Sequence, residues 1–135
     1  MGPSALAVLG YAGWTILLVT CIGLQRGTLT LSGKRAPNSF KTDGTDVSPF
    51  AQRLARVHAN CYENLPTFAA IVLTAIATGH SSVTDPLASW VLVARVCQSV
   101  THLLSTSSPA VMVRFTFLLI QMLIQIWWLI ALFGA

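Results

Sequence analysis

The sequence predicts an all-α integral membrane protein built as a four-helix bundle. Hydrophobic residues make up 54% of its 135 positions and charged residues only 9%, with a mean hydropathy of +0.69. A soluble domain carries about a quarter charged residues, so this balance points to lipid as the solvent. Apolar runs long enough to cross a hydrocarbon core of roughly 30 Å recur along the chain. Ser48-Pro49, Asp85-Pro86 and Ser108-Pro109 each place a capping side chain before a proline suited to the first helical position.

The first helix is expected over about residues 4–25, because Ala5 to Leu24 is apolar and uncharged. No basic segment or small-residue cleavage site marks it as a signal peptide, so it is expected to be retained. Gln25 to Val47 is rich in Gly, Ser, Thr, Asn and Asp and reads as a long loop over 26–48. The second helix, 49–78, reaches spanning length only if the polar stretch from Ala51 joins the apolar run Leu65 to Thr78. Pro66 inside it removes a backbone hydrogen bond and predicts a kink. The third helix, 86–105, is apolar apart from Arg95, Gln98, His102 and small hydroxyl residues, and the fourth, 109–134, is uncharged after Arg114. Short connections make the last three helices antiparallel neighbours, and one domain, 1–135, accounts for the chain. Trp127 and Trp128 suit an interfacial belt, and Gln121 and Gln125, one turn apart, suit hydrogen bonds between helices.

The net charge is +4, but the basic residues are concentrated. Arg26, Lys34, Arg35, Lys41, Arg53 and Arg56 lie in or beside the first loop, while Gly79 to Asp85 has no Lys or Arg. This asymmetry predicts a cytoplasmic first loop with both termini on the opposite side; it is a topology signal and not a nucleic-acid signature. Cys21, Cys61 and Cys97 fall within predicted helices without a pairing motif and read as free thiols. Cys61, beside the polar stripe, is the only candidate nucleophile among them. His58, His80 and His102 sit on separate elements, so no metal site is expected. Phosphate-loop and serine-hydrolase motifs are absent.

The chemistry concentrates in RLARVHANCYENLPTF, residues 53–68. At 100° per residue Arg53, Arg56, Asn60, Glu63 and Asn64 share one narrow helical face. Such a face either binds a small zwitterion or pairs within the bundle. Arg53 and Arg56 read first as topology anchors, with a ligand role as the alternative because Arg56 shares its face with Asn60 and Glu63, and His58, which projects elsewhere, reads as a packing residue beside the stripe. Arg95 lies near the middle of the third helix, where an unpaired arginine costs about 2.5–3.5 kcal/mol. Glu63, the one carboxylate in a predicted span, is its expected partner.

These residues resemble the MAPEG superfamily, the membrane-associated proteins in eicosanoid and glutathione metabolism. The pattern Arg-x-His-x-Asn-x-x-Glu-Asn-x-Pro is met by Arg56, His58, Asn60, Glu63, Asn64 and Pro66, and Ala94-Arg95-Val96 is similar to the family's third-helix arginine. The resemblance implies a homotrimer with three cytoplasm-facing sites between subunits, and reduced glutathione as co-substrate. Arg53, Arg56, His58, Asn60, Glu63, Asn64, Arg95 and His102 would form the ligand site. In that reading the arginines hold the tripeptide's carboxylates and Glu63 its ammonium. Arg114 and Arg95 would be the catalytic cations, favouring the thiolate. A lipophilic second substrate would enter from the bilayer.

This sequence departs from the eicosanoid synthases at three places. His102 stands where they have a tyrosine seven residues after the arginine, Arg114 comes five residues after Pro109 where their arginine is nearer the proline, and Ala59 replaces an arginine. The chain is in this respect closer to the bacterial-type members, which implies a bacterial inner membrane. Two functions follow: a thiol-dependent transferase or peroxidase acting on lipophilic electrophiles, or a non-catalytic lipid-binding or accessory subunit of a larger membrane complex. A channel is disfavoured, since one arginine–glutamate pair defines no permeation path.

Overall fold

A computed structural model describes residues 1–135 as four helices: α1 Pro3–Leu31, α2 Pro49–Ala77, α3 Ser81–Leu104 and α4 Ser108–Phe133. There are no strands. Three of the helices, α1, α3 and α4, are long and apolar enough to cross a membrane by themselves. The 29-residue α2 matches α1 in length, but its first half carries the polar stripe. It runs unbroken through Pro66.

Helix starts follow local chemistry, with two shifts from expectation. Ser48 caps α2 as anticipated, its side chain accepting a hydrogen bond from the Ala51 amide at 3.0 Å. At α4 the cap is Ser107, one residue earlier, which accepts from Ala110. The third helix begins at Ser81, so Pro86 lies inside it and Asp85 does not cap it. Asp85 caps a different helix: its Oδ1 accepts from the Ser4 amide at 3.0 Å, and the Ser4 hydroxyl meets that of Thr84 at 2.7 Å. The start of α1 is thereby satisfied across the bundle by α3, which is why Gly2 needs no side-chain cap.

The first helix also continues past residue 25 to Leu31. This extension is clasped by the loop that follows. Arg26 donates to the Lys41 carbonyl at 3.0 Å, and the guanidiniums of Arg26 and Arg35 both lie over the Phe40 ring, 5.7 and 4.9 Å from its centre. Arg35 pairs with Asp46, whose two oxygens also accept from the Lys41 amide. Gly44 is buried with φ +71°, and a Cβ there would stand 2.7 Å from the Ala51 carbonyl oxygen. Residues 41–46 thus form a strap pinned against the first turn of α2.

An aromatic column holds the bundle together. Tyr11 of α1, Phe68 of α2 and Trp128 of α4 stack with ring centres 5.3 and 6.3 Å apart, and none is more than 1% exposed. Trp128 is therefore a core residue and not part of an interfacial belt; only Trp127 faces outward. In lipid the gain comes from close packing, since the tails are as apolar as the side chains. Small residues permit it: Ala75 and Ala88 are fully buried, and a Cβ on Gly10 would fall 2.5 Å from Leu92. Gln121 donates to Gln98 at 3.0 Å and joins α4 to α3, whereas Gln125 bonds within its own helix to the Gln121 carbonyl. The outer faces are apolar, with Trp90 and Ile130 each about two-thirds exposed.

Candidate functional site

The polar half of α2 lines a cleft of about 640 Å³ at the strap end of the bundle. Its walls are the first half of α2, Ile22 of α1, Thr42 and Asp43 of the strap, and His102 with Thr106 at the end of α3. Arg53, Arg56, His58 and Glu63 all reach it from the helix. The polar stripe does not stay together, however. Asn60 and Arg95 do not line this cleft but a separate inner void of about 10 Å³, roughly one water, shared with Gln98 and Ser99. His102 lines both.

Each predicted residue has a distinct setting. Arg53 is half committed to structure: its Nε donates to the Leu103 carbonyl at 2.9 Å, at the negative end of α3. Arg56 is exposed and has no hydrogen bond, so its guanidinium is free for a ligand. His58 packs against Tyr62, ring centres 5.1 Å apart, and both face the cleft. Asn64 turns back to the Asn60 carbonyl at 2.7 Å and contributes to helix geometry, not to the cleft.

The expected Glu63–Arg95 pair does not form; Arg35–Asp46 is the one ion pair in the chain. The reason is rotational. Glu63 and Arg56 lie on the edge of the stripe that faces the cleft, while Arg95 turns inward to α1, its Cζ 5.4 Å from the centre of the Tyr11 ring. Arg95 is 2% exposed and its Nε has no partner. Arg114 is partly exposed and does not line the cleft. Cys61 is buried with its sulfur 3.6 Å from the Ser99 hydroxyl and does not reach the cleft either.

What the polarity of α2 did not reveal is the contribution of the strap. Asp43 stands in the cleft wall, and the Thr45 amide and hydroxyl, both donating to its Oδ1 at 3.1 and 2.8 Å, hold its carboxyl below the usual carboxylate range. The Asp43-Gly44 step is a turn signal that marks this fold-back. The completed cleft has guanidiniums on its helical wall and a carboxylate at each side, Asp43 and Glu63. That pattern is complementary to a small molecule carrying both carboxylate and ammonium groups.

A family model described as the MAPEG family matches residues 4–134. The chain belongs to the MAPEG family. Neither a curated protein nor a solved structure matches it. Membership and the apolar helices together make it an integral membrane protein. In this MAPEG chain the family match covers both the α2 stripe and the third-helix arginine, and so the residues that line the cleft and the inner void.

Proposed function

We propose that this MAPEG protein is a transferase or peroxidase using glutathione or a similar thiol against lipophilic electrophiles or hydroperoxides. The observation that carries the reading is the cleft itself, large enough for a tripeptide, with Arg53 and Arg56 on one wall and carboxylates flanking them. The arginines take the ligand's carboxylates and one of the flanking carboxylates takes its ammonium. A cation near the thiol favours the thiolate. The thiolate sulfur then forms a bond to the electrophilic carbon, whose electron pair leaves with a departing group or takes up a proton. With a hydroperoxide, two thiols give a disulfide, an alcohol and water.

The reading includes a homotrimer with the first loop in the cytoplasm. Arg56 and Glu63 are exposed on a helix of membrane-spanning length, where uncovered charges are costly. A second copy packed against α2 would cover them and complete each site. A non-catalytic accessory or lipid-binding role is the second reading, favoured by His102 in the place of a tyrosine and by Arg114 outside the cleft. Conjugation of reduced glutathione to a generic aromatic electrophile separates the two. The enzyme reading expects turnover that falls at least tenfold in Arg114→Ala and in Arg56→Ala. No turnover with several acceptors at saturating thiol would favour the accessory role.

A further inference from the structure

We infer that the inner void is a binding site for a single ordered water, which serves Arg95 in place of a carboxylate partner. Arg95 is 2% exposed and its Nε has no partner. Its guanidinium can only donate hydrogen bonds, and a buried donor without an acceptor is costly. The protein groups around it are spent on other bonds. The Ser99 hydroxyl donates to the Arg95 backbone carbonyl at 2.9 Å and accepts from the Trp14 indole at 3.1 Å. Gln98 Oε1 accepts from the Gln121 amide at 3.0 Å.

The lining and the size of the void decide its occupant. Of the six residues around it only Val57 is apolar; the others are Asn60, Arg95, Gln98, Ser99 and His102. Cavities that stay dry are apolar, so a void with this lining is wet. Its volume of about 10 Å³ suits one water and nothing larger. Arg95 is present and no carboxylate is, which excludes a cation. A chloride is larger than a water and can only accept. Water both accepts and donates: its oxygen takes an N–H of Arg95, and its hydrogens match the acceptors that the Asn60 amide and the His102 ring carry. His102 also lines the cleft, so a single side chain separates this water from the ligand space. The site stands whichever ligand the cleft takes.

Nuclear magnetic resonance of the full-length detergent-purified protein, isotope-labelled in its arginine side chains, tests the site. The Nε–H resonance of Arg95 is assigned by its loss in Arg95→Lys. Rotating-frame cross-relaxation with water, which is opposite in sign to proton exchange, is expected at that resonance. Val57→Leu adds a methylene to the one apolar wall and leaves every polar group in place, so the water is displaced and the cross-peak is expected to vanish. Val57→Ala enlarges the void and is expected to keep the cross-peak, which carries the test if the larger side chain prevents folding. Absence of a water contact at Arg95 in the wild-type protein overturns the inference. A resonance that instead shifts when chloride is exchanged for gluconate overturns it too, and identifies the occupant as an anion. Persistence of the cross-peak in Val57→Leu, with unchanged size-exclusion elution and melting, overturns the placement of the water in this void.

Discussion

Replacing Arg95 with methionine is expected to leave the bundle as stable as before, or more so, while impairing the site. Arg95 is 2% exposed, its Nε has no partner, and no carboxylate of the chain is paired with it. An arginine at the centre of a spanning helix costs about 2.5–3.5 kcal/mol, of which a desolvated cation–π contact returns about 2 kcal/mol. That contact is with Tyr11, 5.4 Å from the guanidinium carbon to the ring centre. The remainder, about 1 kcal/mol, is a strain the fold carries for the sake of a cation beside His102. Methionine has similar length and no polar atoms to desolvate, so Arg95→Met removes it. Thermal unfolding in detergent and thiol turnover, measured on the same preparations, check this. The expected result is an equal or higher Tm with much reduced turnover. Destabilisation by about 3 kcal/mol or more, the cost of breaking a buried ion pair, would refute the reasoning, because it would mean that Arg95 has a carboxylate partner.

Three further expectations concern the strap and the helix ends. Gly44→Ala forces a side chain into the left-handed region, at about 1–2 kcal/mol, and against the Ala51 carbonyl. Faster exchange of the Val47 amide, which donates to the Gly44 carbonyl, would report the loosened strap. The Arg35 guanidinium bonded to Asp46 holds that carboxyl below the usual range. Its contribution to strap order is therefore full above the ordinary carboxylate pKa of about 4 and is lost as the pH falls through the lower folded value. The Lys41 amide resonance, bonded to both Asp46 oxygens, should be constant from about pH 7 to pH 5 and move only below about pH 4; movement near pH 6 would contradict the assignment. Asp85→Ala removes the cap on Ser4 and should cost about 1 kcal/mol in unfolding free energy, with the loosened region at the start of α1 in amide exchange.

The architecture was legible because membrane solvation leaves few options. Apolar length and Ser-Pro caps gave the helices, and the α2 pattern gave the family. Boundaries failed where a tertiary contact replaced a local one. Asp85-Pro86 looks like a helix start, but Asp85 serves α1 across the bundle and α3 begins earlier. The Gly- and Thr-rich segment after Leu24 looks like loop, yet it stays helical to Leu31, where the strap clasps it. Within the site, helical periodicity found the stripe but not its division. Glu63 and Arg56 turn to the cleft and Asn60 to the inner void, because the stripe spans two packing surfaces of one helix. Asp43 was missed since a loop's fold-back depends on Arg35, Asp46 and Phe40 meeting in space, which no periodicity encodes.

The central claim is that the α2 cleft binds a thiol peptide through Arg56 and Glu63. Calorimetric titration of reduced glutathione into the detergent-purified protein, beside the Arg56→Ala, Glu63→Gln double variant, tests it most directly. Saturable binding by the wild-type protein that is lost in the double variant is the predicted result. Equal binding by both proteins, or no heat from either, would contradict it.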